Sequence, residues 1–324
     1  MLQPSRIALA VATALACGTA LAAPTGKAGS APSKPVSLDA SDFKPTSGCE
    51  KLEGYDPQWA NHGDDYGLNQ PEAKADKPKG DKDKKPQYVW GFYQLHEHGG
   101  TLYAAFGGKM TRNVTPGALV ALDADTLALK NTIKLPFATH ALALSQDGKR
   151  AIATHTSVNA FSLVNLADGK ITCRKADTDV KGQKYRGRYV VLDEAGNFYI
   201  NYNTFAPGKP PSYLMKYTPE GEHAPGFAVQ SIGNGLVIPL AYLDGRVLTG
   251  THGVTAVDPK TGATTPLTGM DEGLNVYNYV AGPGKQLLAS VYGVGALPNL
   301  LLIDPATGAR SSLLTGSGTV EVGY

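Results

Sequence analysis

Val254-Thr-Ala-Val-Asp-Pro-Lys-Thr-Gly262 and Leu301-Leu-Ile-Asp-Pro-Ala-Thr-Gly308 repeat one pattern, an apolar strand running into an Asp-Pro-x-Thr-Gly turn. Each turn residue has a physical role: the aspartate carboxylate caps the amides that follow, proline presets φ, and glycine takes the left-handed conformation. A second strand starts at Ala263 and at Ala309, so each copy predicts a hairpin. Looser copies lie at Leu119-Val-Ala-Leu-Asp123, at Leu163-Val-Asn-Leu166 before Asp168-Gly169, and at Leu214-Met-Lys-Tyr217 before Pro219-Glu-Gly221.

A different hairpin precedes each of these. It reads Phe92-Tyr-Gln-Leu-His-Glu-His-Gly-Gly-Thr-Leu-Tyr103, then Leu142-Ala-Leu-Ser-Gln-Asp-Gly-Lys-Arg-Ala-Ile152, then Val190-Val-Leu-Asp-Glu-Ala-Gly-Asn-Phe-Tyr199. Leu240-Ala-Tyr-Leu-Asp-Gly-Arg-Val-Leu248 and Tyr279-Val-Ala-Gly-Pro-Gly-Lys-Gln-Leu-Leu288 complete the series. The turn glycines Gly100, Gly148, Gly196, Gly245 and Gly284 lie 48, 48, 49 and 39 residues apart. Two hairpins per repeat make a four-stranded antiparallel blade. Blades of this size bury their apolar faces against one another around an axis, which predicts an all-β fold, a β-propeller. A plain β-sandwich has no reason to repeat two turn chemistries five times.

Five repeats are visible. After the fifth, Gly318-Thr-Val-Glu-Val-Gly-Tyr324 reads like the inner strand of another repeat. Either that strand completes the first blade of a five-bladed ring, or the chain is a truncated seven-bladed propeller. The domain reading is a signal peptide over 1–22, an N-terminal extension and linker over 23–87, and the propeller over 88–324.

Arg6 followed by the apolar run Ile7 to Ala16 and by Ala20-Leu21-Ala22 reads as a secretory signal, with cleavage after Ala22. The apolar run is well short of the ~20 residues a membrane span needs. Periplasmic export is therefore expected, with no transmembrane segment. Residues 23–87 hold little to bury. Pro71 to Pro86 alternates charges between prolines and reads as a solvated linker rather than a basic arm, because aspartates interrupt the lysines. Removing the signal also removes Cys17. The two remaining cysteines, Cys49 and Cys173, form a candidate disulfide in an oxidising compartment.

The formal net charge of +2 argues against a strongly basic nucleic-acid binder. Gly 38 and Pro 22, against Met 4, suit many short strands and tight turns.

The pairing of Leu144-Ser-Gln-Asp-Gly-Lys-Arg150 with Val257-Asp-Pro-Lys-Thr-Gly262 resembles the YVTN-repeat, YncE-like β-propellers of bacterial periplasms. Pro136-Phe-Ala-Thr-His-Ala-Leu142 and Ser157-Val-Asn-Ala-Phe-Ser-Leu-Val164 are similar to the second repeat of such proteins. The tetrad that names the repeat is replaced by Ala151-Ile-Ala-Thr154, Tyr199-Ile-Asn201 and Val247-Leu-Thr249. The resemblance spans most of 88–324. It implies a secreted binding protein, usually seven-bladed, with single-stranded DNA binding attached to part of the family.

In a propeller the first strand of each blade lines the channel, and the loops leading into those strands form a rim where ligands collect. The rim residues are Tyr88, Trp90, His140, Arg188, Ile238, Tyr277 and Asn278, a mixed aromatic, cationic and amide set. It suits a small or polymeric anionic ligand. A separate patch, Lys181, Lys184, Tyr185, Arg186, Arg188 and Tyr189, interleaves cations with rings as a single-stranded nucleic-acid surface does. Its alternative reading is an inter-blade loop whose tyrosines pack on blade edges. His96 and His98 share a strand face but have no partners to complete a metal set, and read as exposed turn histidines. His155 and His252 read as repeat positions near strand ends. No phosphate loop, serine elbow, haem motif or adjacent cysteine pair is present, so catalytic residues, metal and cofactor are all assigned as none. A lactonase-like hydrolase or a quinone-dependent redox subunit is the enzymatic alternative, and a monomer is expected.

Overall fold

A computed structural model describes residues 45–47, 49, 92–106, 117–156, 158–176, 179–180, 183–204, 212–230, 239–250, 253–269, 275–292 and 300–314. The expected signal sequence, the Pro71–Pro86 stretch read as a linker, Tyr88, Trp90, Lys181, Ile238, His252 and the stretch from Gly318 lie outside these residues, as do the side chains of Lys184 and Tyr277.

Five antiparallel sheets form a five-blade β-propeller. Blade 1 is β2 (Phe92–His98), β3 (Thr101–Phe106), β4 (Gly117–Asp123) and β5 (Leu129–Leu135). Blade 2 is β6 (Ala141–Leu144), β7 (Arg150–His155), β8 (Ala160–Asn165) and β9 (Ile171–Ala176), with β1 (Pro45–Ser47) added at its outer edge. Blade 3 is β11 (Gln183–Leu192), β12 (Phe198–Thr204), β13 (Tyr213–Tyr217) and β14 (His223–Gln230), with the short β10 (Asp179–Val180) paired to β11. Blade 4 is β15 (Leu240–Leu243), β16 (Arg246–Thr249), β17 (Gly253–Val257) and β18 (Thr264–Gly269). Blade 5 is β19 (Asn275–Ala281), β20 (Leu287–Tyr292), β21 (Leu300–Ile303) and β22 (Arg310–Leu314). No helix among the described residues is long and apolar enough to cross a membrane.

The core is a series of seams. Alternate residues of a strand point to opposite faces, and each blade face meets a neighbouring blade. Leu119, Ile133, Leu142 and Ala153 fill the seam between blades 1 and 2. Ile152, Phe161, Val190, Phe198 and Ile200 fill the next. Tyr199, Leu214, Leu240 and Val247 join blades 3 and 4, while Leu248, Ala256, Tyr279 and Leu301 join blades 4 and 5. This double burial explains why β4 is covered along Gly117–Ala121, whereas the outer strand β5 is exposed over Leu129–Asn131.

The repeated turns form as their residues dictate. The Asp258 carboxylate accepts hydrogen bonds from the Lys260 and Thr261 amides at 2.8 and 2.7 Å, and Gly262 takes φ +72°. Asp304 and Gly308, at φ +74°, repeat the arrangement. Blade 1 has the same cap on Asp123 but places Leu127 at φ +59°, the conformation that glycine takes elsewhere.

Cys49 and Cys173 are joined by a disulfide, with Cα atoms 5.6 Å apart. Cys49 is buried among Phe137 and Ala160, and the strand just before it, β1, pairs Ser47 with Arg174 of β9. The extension is thus latched onto the outer edge of blade 2 both covalently and by backbone pairing.

Candidate functional site

The channel side of the propeller is lined by β2, β6, β11, β15 and β19, the first strand of each blade. Three of these carry bulges, between Phe92 and Leu95 at the start of β2, between Gly187 and Val190 midway along β11, and between Val276 and Asn278 near the start of β19. A bulge turns side chains out of the regular alternation, and all three fall at the same end of the channel. The mouth at that end is the candidate site.

The best-defined part is the β11 bulge. Blade 2 holds it by three hydrogen bonds. Thr154 Oγ1 donates to the Arg188 carbonyl at 2.6 Å, Thr156 Oγ1 donates to the Gly187 carbonyl at 2.7 Å, and the Gly187 amide donates to Asn159 Oδ1 at 3.1 Å. Gly187 sits in a close approach, where an added Cβ would meet Ile200 and Tyr202 side-chain atoms at 3.0 and 3.1 Å. The backbone that presents Arg188 is therefore fixed before any ligand arrives. None of Thr154, Thr156 and Asn159 was marked by the sequence. The only signal for the two threonines was a polar Thr-His-Thr stretch ending an otherwise apolar strand.

His140 enters from blade 2, its amide bonded to the Thr154 carbonyl at 2.8 Å. Its ring meets Tyr189 edge to face, with centroids 5.9 Å apart. Burial, reinforced by the nearby Arg188 charge, pushes the imidazole down to about 3. His140 is therefore neutral at physiological pH, a hydrogen-bonding group too weakly basic to act as a general base there. Asn278 lies on the inner strand of blade 5, buried and directly opposite Ser290. The structure thus brings His140, Arg188 and Tyr189 together, and places Asn278 two blades further round from Arg188.

The proposed nucleic-acid patch is corrected in two respects. From Gln183 onward it is strand, not loop. Tyr185 and Tyr189 are buried at 1% and 3% exposure, so neither ring face is open to stack on a base. The cause is alternation along β11. Tyr185 points into the seam with blade 2, packs edge to face on Tyr213, and has its phenol pushed up to about 12 by burial. Tyr189 enters the cluster shared with blade 4. Arg186 and Arg188 remain half-buried on the same strand.

The histidines are also placed differently from expectation. His96 and His98 do share a face, but it is the seam with blade 2 rather than open turn. His96 Nε2 lies 2.6 Å from the Leu142 carbonyl, and the His98 ring covers Gly148. His155 is fully buried, with Nε2 2.7 Å from Ser162 Oγ and Nδ1 3.2 Å from the Ala138 carbonyl. Among the described residues no three of His, Cys, Asp and Glu converge as a metal-holding set. An open cleft of about 170 Å³ lies apart from the mouth, lined by Tyr103, Leu119, Lys130, Asn131, Ile133 and Leu166.

No protein-family model matches the chain, and no curated protein matches it. Several solved structures are similar in shape. Hydrazine synthase of Kuenenia stuttgartiensis matches with a TM-score of 0.50 and 13% identity, over 72% of this chain and 69% of that one. A calcium-binding protein, regucalcin of Agrobacterium tumefaciens, matches with a TM-score of 0.49 and 14% identity, over 69% of this chain and 75% of its own. A luciferin-regenerating enzyme gives 0.49 and 14%, over 71% and 77%. At such identities the likeness speaks to the β-propeller fold alone.

Proposed function

We propose that the protein is an exported propeller that binds an anionic ligand at the channel mouth, with Arg188 as the principal contact. The observation that carries this reading is the fixed Arg188 beside a neutral His140. A cation held on a pinned bulge offers a charge-assisted bond, and the uncharged imidazole adds a hydrogen-bond donor or acceptor beside it. Asn278 supplies an amide from another blade. A histidine held at about 3 favours binding over acid–base turnover at this site. Export to the periplasm is supported by the Arg6, Ile7–Ala16 and Ala20–Ala22 pattern and by the Cys49–Cys173 disulfide, which suits an oxidising compartment. A place among the YncE-like propellers rests on the repeat turns quoted above.

The test is calorimetric titration of the full chain with citrate, inorganic phosphate and oligothymidylate at low ionic strength. At least one should bind with an affinity that falls as salt rises, and Arg188→Gln should weaken it at least about tenfold. Silence from all three with the wild-type chain would sink the reading. Binding confined to oligothymidylate would move it toward single-stranded DNA. Sequencing the amino terminus of protein recovered from the periplasm should begin at Ala23.

A further inference from the structure

The seam between blades 1 and 2 is open where the seam between blades 3 and 4 is filled. Tyr103 stands three residues after Gly100, as Tyr199 stands three after Gly196, and each ring faces the following blade. The residue paired with Tyr199 across the sheet is Lys216. Its ammonium lies 5.5 Å from the Tyr199 ring centroid and 5.9 Å from that of Phe227. It donates to the Pro259 carbonyl of blade 4 at 2.7 Å. The side chain of Lys216 thus fills the wedge between blades 3 and 4.

In blade 1 the residue paired with Tyr103 is Ala121, whose own partner on the outer strand is Asn131. Asn131 stands two residues before Ile133, as Phe227 stands two before Val229, and these two pair with Leu119 and Leu214 at equivalent positions. Leu166 of blade 2 is the counterpart of Pro259. Each follows the first residue of its turn, Asn165 or Asp258, whose amide donates to the carbonyl five residues on. Blade 1 therefore has alanine and asparagine where blade 3 has lysine and phenylalanine. The wedge is left as the cleft of about 170 Å³, lined by Tyr103, Leu119, Ala121, Asn131, Ile133 and Leu166. About 150 Å³ is enough for a benzene molecule. Tyr199 donates its phenol to Asp193 Oδ2 at 3.0 Å, whereas among the described residues that of Tyr103 makes no hydrogen bond.

The charge around the cleft selects its guest. Lys130 lies at the rim, but its three N–H groups are engaged by Asp123 at 3.0 Å, the Gly100 carbonyl at 2.8 Å and Thr101 Oγ1 at 3.3 Å. Glu97 accepts from the Gly100 amide, and Asp125 shares the turn that Asp123 caps. Three carboxylates around one engaged cation favour a positive guest over an anion.

We propose that this cleft binds a small primary alkylammonium, which takes the place that the Lys216 side chain fills between blades 3 and 4. The alkyl chain packs on Leu119, Ile133 and Leu166, and the ammonium lies over the Tyr103 ring. Its hydrogens go to the Leu166 carbonyl and to Asn131 Oδ1. The site stands independently of the channel mouth, where Arg188 meets His140.

The test titrates the full chain with n-butylammonium, 1-butanol and Nα-acetyl-lysine methylamide, followed by amide chemical shifts. Butylammonium should bind with a Kd of about 1 mM or tighter. It should bind at least about tenfold better than 1-butanol, which has the chain without the charge. Ala121→Lys should abolish binding by filling the cleft from within, and Tyr103→Leu should weaken it about tenfold. Arg188→Gln should leave it unchanged. Equal affinity for butanol would overturn the proposal, as would binding that survives both Ala121→Lys and Tyr103→Leu. No binding of butylammonium to the folded wild-type chain would also overturn it. Tighter binding of the lysine derivative than of butylammonium would give the cleft to a lysine of another chain and overturn the reading of a free amine.

Discussion

Thr154 of blade 2 donates its hydroxyl to the main-chain carbonyl of Arg188 on blade 3, at 2.6 Å, across the seam that presents the candidate site. That bond is one of three by which blade 2 holds the bulge that carries Arg188. Thr154→Val keeps the shape but strands the Arg188 carbonyl and the Ala141 amide. Loss of stability by about 1–3 kcal/mol is expected, read from the urea midpoint, with Thr154→Ser recovering most of it. An unchanged midpoint in Thr154→Val would mean the bulge is held by other contacts.

Leu127 offers the opposite kind of change. It occupies φ +59° at the turn position where Gly262 and Gly308 stand in blades 4 and 5, and its side chain is 48% exposed. A left-handed leucine costs roughly 1–2 kcal/mol, whereas glycine loses about 0.5–1 kcal/mol of chain entropy on folding. Leu127→Gly should therefore stabilise the protein by up to about 1 kcal/mol, measurable as a raised melting temperature. A fall would show that Leu127 packs on something that offsets its strain.

Acidification should weaken the fold before the carboxylates titrate. Burial holds the His155 imidazole down at about 4 and His140 at about 3, against an ordinary 6.5, and His96 is lowered by the same cause. Above pH 6.5 both folded and unfolded chains leave these groups neutral. Between about 6.5 and 4 the unfolded chain takes up protons that the folded chain refuses at His155, so stability falls as pH drops. Urea midpoints at pH 7.5, 6.0 and 5.0 should decline, and more shallowly in His155→Gln. A flat profile would contradict the burial of all three rings.

The latch at Cys49–Cys173 closes a separation of 124 residues. Replacing both cysteines with alanine should cost about 2–5 kcal/mol, since so long a loop regains much freedom in the unfolded chain. Reduction of the wild type should give the same shift. Amide exchange should speed up at Pro45–Ser47 and its β9 partners before it does in the inner strands. Uniform exchange across blade 2 would mean that β1 adds nothing to that edge.

The sequence alone determined the fold class and the turns. Asp258, Pro259 and Gly262 act through contacts a few residues apart, so their pattern is legible without coordinates, and its repetition at Asp304 and Gly308 implied blades. The pairing of Cys49 with Cys173 was likewise readable, because only two cysteines follow the apparent signal. Which way a side chain points was not. Tyr185 and Arg186 are neighbours of similar appearance in a basic, aromatic stretch, yet one fills a seam and the other stays half in water. That outcome is set by the register of β11 against β12 and by where the bulge falls. The carbonyls of Gly187 and Arg188 find Thr156 and Thr154 only once blades 2 and 3 are packed together. Such contacts join residues dozens apart through sheet geometry, and no local pattern encodes them.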